Sequence, residues 1–306
     1  MLPEHDRLAF LGPVKGYIPS LDEFLRHLYR GLPIYFRVNT LKASKDIIKE
    51  FLHEEGVEFQ DTPISHVLRI THIPEDVSLL SYQLGLVYPQ AISSCIPVIA
   101  LSPEPGHMVL DLCAAPGGKT TYIAQLMNDQ GLIMANDRKR GRIVSLLSNV
   151  KRMGITNTVV IQGRGEHLSL GQRFDRVLID APCSGQGKYR IDPVSGRIKY
   201  MVKGKTNLPA IQKALIKRGF DLLKPGGVLV YSTCTFDISE NEDVVMHLLE
   251  QRDAKIEDFD PVFPFSPGIV EVQGRRYADS IGLCKRFYPH KVDSVGFFVA
   301  RIVKVG

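Results

Sequence analysis

The sequence predicts an α/β protein in which a mostly parallel sheet carries helices on both faces, with a small α+β unit in front of it. The length of 306 residues allows one large and one small domain. The composition, 44% apolar and 23% charged, is that of a folded globular protein. From about residue 106, near-continuous apolar strands alternate with amphipathic helices, which is the pattern of a parallel sheet buried on both faces.

Residues 1–88 predict the small α+β unit. Ser20 is a suitable N-cap for a helix whose apolar face has helical spacing: Leu21, Phe24, Leu25 and Leu28. Strands are predicted at 34–38, 57–60 and 67–70. Between them, Ser44 can cap a helix over 45–55 that Gly56 ends. Because this unit has no chemical motif, we expect it either to pack as a scaffold or to dock a partner.

Residues 89–306 predict the large domain. Pro89 is expected to open a helix that runs to about Leu101. The alternating strands are predicted at 108–112, 132–137, 158–161, 177–180 and 228–231, and the helices at 119–127, 139–152 and 208–223. Ser239 and Glu242 have the spacing of a capping box for a helix over 240–251. Residues 296–302 predict a last strand, antiparallel to its neighbour.

The net charge of +5 is unevenly distributed. Residues 188–218 hold nine Lys or Arg residues and a single acid, Asp192, whereas residues 1–88 hold twelve acids and nine bases. A second basic cluster precedes a predicted helix: Arg138, Lys139, Arg140 and Arg142. A basic zone confined to one part of the chain is consistent with a polyanionic partner such as RNA. It is equally consistent with a solvated, lysine-rich surface that binds no partner.

The chain shows no sign of a membrane segment. No apolar run approaches the roughly 20 residues that span a bilayer. Residues 1–7 also lack the basic-then-apolar pattern of a signal peptide. We therefore expect a cytoplasmic protein with no membrane association.

Five cysteines are widely spaced along the chain: Cys95, Cys113, Cys183, Cys234 and Cys284. No two form a Cys-x-x-Cys pair, so the sequence predicts neither a zinc site nor a disulfide framework, and we expect no metal. Each is therefore either a small core residue or a working thiol. Cys95 and Cys284 have no reactive neighbours in the sequence and are expected to be inert.

A turn rich in small residues follows the first strand of the alternating region: Asp111-Leu-Cys-Ala-Ala-Pro-Gly-Gly-Lys-Thr-Thr121. Small residues let backbone N–H groups at a helix N-terminus approach a ligand closely. The turn matches neither the P-loop nor Gly-x-Gly-x-x-Gly, which disfavours a nicotinamide site. Asp137 ends the next strand, where a carboxylate can accept both hydroxyls of a ribose. A structural turn and a helix-capping Asp would each explain one feature, but the pair indicates a nucleoside-containing cofactor.

Two further strands end in cysteines. Asp180-Ala-Pro-Cys183 follows one strand, and Ser232-Thr-Cys234 follows the next. A lone strand-end cysteine is more often a core residue than a reactive one. Two of them after consecutive strands of a parallel sheet would lie side by side at its carboxyl edge. Two thiols and an acid beside a cofactor suggest covalent activation of an electron-poor ring.

Together these motifs resemble the RNA cytosine-5 methyltransferases of the Nol1/Nop2/Sun family. The resemblance rests on the turn after Asp111, on Asp180-Ala-Pro-Cys-Ser-Gly185 and on Ser232-Thr-Cys-Thr235. It extends from about residue 30 to 303 through several more segments: Tyr35–Leu41, Tyr88–Ser94, Glu240–Glu242, Arg286–His290 and Gly296–Ala300.

The resemblance implies a class I (Rossmann-like) methyltransferase fold with seven strands and S-adenosylmethionine as the cofactor. The residues it implies around that cofactor are Cys113, Ala114, Ala115, Pro116, Gly117, Gly118, Lys119, Asp137, Arg142 and Asp180. By the same resemblance, Cys234 attacks the cytosine ring and Cys183 helps to release the product. Asp180 stabilises charge on the ring, and Lys119 orients the base or assists Asp180.

One position departs from the family pattern. The family usually has an acid just after the third strand, where it meets the adenine amino group. Here Arg164 occupies that position, in Gln162-Gly-Arg-Gly-Glu166. Either Glu166 or a backbone group would then make the adenine contact.

We therefore expect a 1–88 α+β module that docks RNA or serves as a scaffold, and an 89–306 catalytic domain, acting as a monomer on tRNA or rRNA. The basic stretch 188–218 would grip the RNA backbone, with Tyr189 and Tyr200 either stacking on bases or packing internally. Three alternatives stay open. An amino-methyltransferase normally has Asn/Asp-Pro-Pro-Tyr/Phe where this chain has Asp-Ala-Pro-Cys. A non-catalytic RNA-binding or ribosome-assembly factor is disfavoured by the intact thiols and acid. A nicotinamide dehydrogenase ranks third.

Overall fold

The computed structural model describes residues 9–171, 173–200 and 207–305. Its first unit is a four-stranded antiparallel sheet in the order β2-β3-β1-β4. The elements of this unit are helix α1 (Leu21–Leu28), β1 (Ile34–Val38), α2 (Lys45–Glu54), β2 (Glu58–Asp61), β3 (Val67–His72), α3 (Leu80–Gln83) and β4 (Val87–Pro89). Ser44 caps α2 by accepting a hydrogen bond from the Ile47 amide, as predicted. Ser20 precedes α1 but makes no side-chain cap.

The second unit is built on one large sheet. Its elements are α4 (Ile96–Leu101), β5 (Met108–Asp111), α5 (Gly118–Leu126), β6 (Leu132–Asp137), α6 (Arg140–Met153), β7 (Thr158–Gln162), β8 (Phe174–Asp180), β9 (Arg190–Ile191), β10 (Ile198–Lys199), α7 (Leu208–Asp221), β11 (Leu223–Thr233), α8 (Glu242–Leu249), β12 (Ala254–Ile256), β13 (Ser266–Pro267), β14 (Glu271–Val272), β15 (Arg275–Arg276), β16 (Lys285–Phe287), α9 (Pro289–Val292) and β17 (Phe297–Lys304). The pairs β9/β10 and β14/β15 are short separate hairpins.

The large sheet has the order β13-β16-β17-β11-β8-β5-β6-β7, with β12 beside β17. Strands β7, β6, β5, β8 and β11 are parallel, whereas β17, β16, β13 and β12 are antiparallel to their neighbours. Seven of the nine strands form the expected main sheet, and β12 and β13 are short additions. The prediction of a mostly parallel sheet closed by an antiparallel last strand is therefore confirmed.

Alternating strand residues divide the core between the two faces of the sheet. In β8, Val177 and Ile179 pack on the face that α7 and α8 cover, and Leu178 packs on the face that α4, α5 and α6 cover. All three side chains are fully buried. Because successive strand residues point to opposite faces, near-continuous apolar strands require helices on both.

Besides the Ser20 cap, two local predictions are wrong. Pro89 does not open a helix; it ends β4 and pairs with Phe36 of β1, so the small sheet extends across the boundary expected between residues 88 and 89. Ser239 and Glu242 do not form a capping box. Ser239 lies in a 3₁₀ turn where Asp237 accepts its amide hydrogen bond, and the Glu242 carboxylate pairs instead with Arg286. Local spacing could not reveal either long-range partner.

Arg37 of β1 joins the two units. Its side chain is fully buried and inserts against α5. Nη2 donates to Thr121 Oγ1 at 2.7 Å, Nε donates to Gln90 Oε1 at 3.0 Å, and Nη1 donates to Gln125 Oε1. Burial lowers the pKa of Arg37 to about 10. Because buried guanidinium groups need such partners, the small unit is fixed to the large one at this point.

Candidate active site

Two cysteines meet at the carboxyl edge of the large sheet. Strands β8 and β11 are parallel neighbours, with Asp180 opposite Ser232. The chain therefore leaves both strands at the same level, and Cys183 and Cys234 follow within three residues. Their sulfur atoms are 3.2 Å apart, which is hydrogen-bond distance for a thiol pair. The predicted side-by-side arrangement is confirmed.

The two thiols are electrostatically unequal. The hydrogen bond between them, together with burial, raises the pKa of Cys183 well above that of an ordinary thiol. The same hydrogen bond lowers the pKa of Cys234, and the nearby Lys188 ammonium adds to this effect. Cys234 is therefore the thiol of the pair that ionises more readily. Since the thiolate is the nucleophile, Cys234 is the better candidate for attack.

Asp180 lies beside the thiols in an ion pair with Lys119. The Lys119 ammonium is 2.6 Å from Asp180 Oδ2 and donates also to Ser94 Oγ at 2.9 Å. Ser232 donates to the other carboxylate oxygen at 3.1 Å. Lys119 is only 8% exposed, so it does not face solvent from the start of its helix. The carboxylate and the ammonium together form one fixed hydrogen-bonding group.

Buried polar residues hold the two cysteine loops in register. Glu240 Oε2 accepts a hydrogen bond from the Ser184 amide at 3.0 Å and from Gln212 Nε2 at 2.8 Å. Asn241 Oδ1 accepts from the Thr233 hydroxyl at 2.6 Å, and its amide nitrogen donates to Thr235 O. Glu240 and Asn241 therefore anchor the segments on either side of the thiols.

A buried ion pair between Arg286 and Glu242 supports the loop that contains Cys234. Arg286 Nε is 2.7 Å from Glu242 Oε1, and Arg286 Nη2 donates to Glu242 Oε2. Arg286 Nη1 donates to the carbonyl of Phe236, two residues after Cys234, at 3.0 Å. The family resemblance includes Glu242 and Arg286, but only the fold shows that they stabilise the loop after Cys234.

The larger of two cavities at the site has a volume of about 590 Å³. Asp137 and Arg142, both predicted from sequence, line it, and Arg142 Nη1 lies 3.1 Å from Asp137 Oδ2. Arg142 also donates to the carbonyl of Ala115, which ties this cavity to the glycine-rich turn. Asn136 Oδ1 is buried beside it and accepts no hydrogen bond from the described residues.

The chemistry of this lining fits a nucleoside. The Asp137 carboxylate can accept ribose hydroxyls, and apolar side chains offer a surface to a purine: Leu112, Leu208, Ile211 and Leu215. Glu166 lines the cavity, whereas Arg164 points outward and pairs with Glu166 at 2.8 Å. Glu166, the alternative to a backbone group for the adenine contact, is thus positioned at the cavity.

The smaller cavity, with a volume of about 250 Å³, is lined by most of the glycine-rich turn. Its lining includes Cys113, Ala114, Ala115, Pro116, Gly118 and Lys119. Gly117 lines neither cavity. It adopts a φ of +109°, and a Cβ there would lie 3.0 Å from Leu146 of α6. Only glycine therefore fits the start of α5.

The two cavities share four lining residues: Cys113, Asp180, Lys188 and Cys234. A ligand in the larger cavity and one in the smaller would therefore meet at the Cys234 thiol and the Asp180 carboxylate. Asp111 lines the smaller cavity as well, and burial raises its pKa to about 7. Its Oδ1 has no partner among the described residues.

The structure separates the members of the basic stretch 188–218. Lys188 belongs to the site, a role that its place in a run of basic residues did not reveal. Arg190 is buried. Tyr189 is buried as well, and its ring packs against Phe10 with 5.2 Å between ring centroids. Of the two interpretations of Tyr189, internal packing is therefore the one that the structure shows. Tyr200 is 59% exposed. Lys203 and Lys205 lie outside the described residues.

The two cysteines expected to be inert, Cys95 and Cys284, are fully buried. Burial raises the pKa of Cys95 to about 12 and that of Cys284 still further, which makes both thiols unreactive at neutral pH. Across residues 9–171, 173–200 and 207–305, no group of three or more His, Cys, Asp or Glu side chains is arranged to hold a metal ion. No helix in these ranges combines the length and apolar character that crossing a membrane requires.

Known proteins resemble this chain over most of its length. Residues 98–303 match the family described as 16S rRNA methyltransferase RsmB/F. A tRNA (cytosine(49)-C(5))-methyltransferase from Pyrococcus abyssi is 40% identical over 293 residues, covering 92% of this chain and 92% of the relative. Ribosomal RNA small subunit methyltransferase F from Shewanella amazonensis is 38% identical and covers 93% of this chain, which spans 61% of that relative. The crystal structure of a methyltransferase homolog protein from Pyrococcus horikoshii has a TM-score of 0.81 at 31% identity, over 99% of this chain and 100% of that one.

Proposed function

The chain belongs to the RsmB/F family of RNA cytosine-C5 methyltransferases, and we propose that it transfers a methyl group from S-adenosylmethionine to carbon 5 of a cytosine in tRNA or rRNA. The observation that carries the proposal is the meeting of two cavities at Cys234 and Asp180. Relatives named for tRNA and for rRNA support RNA as the substrate class. Exposed Arg138 and Lys139 at the rim of the larger cavity suit a polyanion.

Asp137, Arg142 and Glu166 would hold the nucleoside part of the cofactor, and the turn from Cys113 to Lys119 would hold the remainder. When bound, S-adenosylmethionine supplies an electrophilic methyl group. The residues of this chain bring the ring to it and make carbon 5 reactive.

Cys234 performs the activating step. Carbon 5 of cytosine is too weak a nucleophile to take a methyl group unaided. The Cys234 thiolate forms a bond to C6, the electrons of the C5–C6 double bond shift to C4–C5, and those of the C4–N3 double bond move onto N3. The ring is then an enamine whose nucleophilic carbon is C5. The Cys183 thiol stabilises the thiolate before attack by donating a hydrogen bond. The target base must first be unstacked to reach the thiol.

The Lys119–Asp180 pair accommodates the charge that addition places on the ring. It presents a hydrogen-bonding group for N3, and the ammonium next to the carboxylate holds an exchangeable proton that N3 can take. After C5 is methylated, N3 returns its proton to the Lys119–Asp180 pair, and the C5 hydrogen is lost to solvent as a proton. The electron pair left behind re-forms the C5–C6 double bond as the C6–sulfur bond breaks, and Cys234 leaves as the thiolate. Cys183, within hydrogen-bond distance of the sulfur that leaves, is the residue we assign to assisting this release.

The test uses RNA and a cofactor with a labelled methyl group. Cys234→Ala should abolish transfer, because no adduct can form. Cys183→Ala should accumulate a covalent protein–RNA complex that survives denaturing electrophoresis. Cys284→Ala is the matched control, since it removes a buried thiol that lines neither cavity. Nucleoside analysis of total tRNA and of rRNA as separate substrates identifies the product and the RNA class.

Two results would contradict the proposal. Full activity in Cys234→Ala, with a non-trapping loss in Cys183→Ala, would reverse the roles of the thiols. A methyl group found on an exocyclic nitrogen would replace the reaction with amino-methylation.

A further inference from the structure

Lys188 stands out among the residues that line both cavities. Of the four, Cys113 and Cys234 are thiols and Asp180 is an acid, so Lys188 is the one cation. The other lysine of the smaller cavity, Lys119, is already bound to Asp180 and to Ser94.

The backbone fixes the position of Lys188. It ends the 3₁₀ turn Gln186–Lys188, and its amide donates to the Gly185 carbonyl at 3.0 Å. The amide of Gly187 donates to the carbonyl of Cys234 at 2.9 Å, which ties the turn to the thiol's own backbone. A Cβ on Gly187 would lie 2.3 Å from the carbonyl oxygen of Gly296, so the turn is also closely packed on its other side.

The ammonium of Lys188 forms no ion pair and no hydrogen bond within the described ranges 9–171, 173–200 and 207–305. The charged and titratable groups that act on Cys234 are Cys183, Asp180, Lys119 and Lys188. Cys113, Asp111, Tyr231 and Arg142 belong to the same surroundings. The negative charge of Asp180 opposes ionisation of Cys234, and Lys119 is engaged with that carboxylate. Lys188 is therefore the cation free to favour the thiolate.

We propose that Lys188 activates Cys234 by stabilising its thiolate electrostatically, acting through the thiol and not on the ring. The inference rests on the proposed function, in which Cys234 is the nucleophile. A positive charge that lines the same two cavities as the thiol favours its ionised form. Cys234 is half-buried, whereas the Lys188 side chain is exposed, so water and salt screen part of this attraction. The reciprocal effect has the matching direction, since Cys234 raises the pKa of Lys188.

The experiment measures the ionisation of Cys234 without any methyl transfer. The protein is alkylated with iodoacetamide at a series of pH values, and modification of the Cys234 peptide is followed by mass spectrometry. Lys188→Met should raise the pH midpoint of Cys234 alkylation by about half a unit and slow alkylation about threefold at pH values well below that midpoint. Lys188→Arg keeps the charge and should stay close to wild type. Lys199→Met, which removes an exposed lysine paired with Asp192 on the same stretch, should match wild type.

The inference is overturned if the Lys188→Met profile superimposes on that of the wild type. It is also overturned if Lys188→Arg shifts as far as Lys188→Met, because shape and not charge would then matter. Unfolding midpoints of all three variants establish that each is folded. Failure of the proposed function is recognised separately, by methylation that persists in Cys234→Ala.

Discussion

Neutralising Glu242 should destabilise the protein and loosen the active site together. Glu242 and Arg286 are buried, with side chains 0% and 2% exposed, and they form a two-point ion pair. Glu242→Gln keeps the shape and still accepts a hydrogen bond from the Ile269 amide, but it leaves the guanidinium charge buried without its counter-charge. Removing one partner of such a pair costs about 3–5 kcal/mol.

The effect should reach catalysis because Arg286 also holds the Phe236 carbonyl, two residues after Cys234. We therefore expect slower methyl transfer by Glu242→Gln even at temperatures where it is fully folded. Urea unfolding followed by circular dichroism gives the free energy of unfolding. The double variant Glu242→Met with Arg286→Met is the control and should recover much of the lost stability, since it leaves no buried charge.

The reasoning would be refuted if Glu242→Gln lost less than about 1 kcal/mol, the usual range for an exposed ion pair. It would be refuted as well if the double variant were less stable than the single one. Either result would mean that the pair is hydrated or that Arg286 is held mainly by its carbonyl contact.

Three further predictions concern the site and its support. Lys119→Met should lower methyl transfer about 10²- to 10⁴-fold in the labelled-cofactor assay, because it removes the proton-holding partner of the carboxylate; unchanged transfer would exclude that role. Burial raises the pKa of Asp111 to about 7 from 3.8, so its contribution to stability is full below pH 3.8 and lost as the pH rises through 7. Asp111→Asn should flatten this pH dependence in urea unfolding, and an unchanged slope would contradict it. Gly187→Ala should lower the free energy of unfolding by about 1–3 kcal/mol, because it forces a methyl group against the backbone of Gly296. Gly141→Ala is the control and should not lower it, because the space around Gly141 is open. Equal melting curves for the two variants would disprove the argument.

The large sheet could be predicted from sequence because its strands are buried on both faces. Parallel strands such as β8 need apolar residues at nearly every position, and this run ends where Asp180 begins the loop. The proximity of Cys183 and Cys234 followed from the adjacency of β8 and β11, which needs no knowledge of side chains. These inferences depend on order along the chain, which the sequence displays directly.

The remaining features depend on partners that are distant in sequence. Glu242 has the spacing of a capping residue, and only the fold brings Arg286 to it. Pro89 looks like the start of a helix until β1 lies beside it. Lys188 is one of nine basic residues in its stretch, and nothing local shows that it, unlike the others, lines both cavities.

The Arg37 contact has a consequence for how this protein can be divided or recombined. Arg37 belongs to the small unit, and its guanidinium donates hydrogen bonds to Thr121 and Gln125 of α5, the helix that follows the glycine-rich turn. A fragment lacking the small unit would expose those amide and hydroxyl groups, together with the apolar residues around them, directly behind the active site. Chimaeras between relatives should therefore exchange Arg37 and α5 together, even though the domain boundary expected from the sequence lies between them.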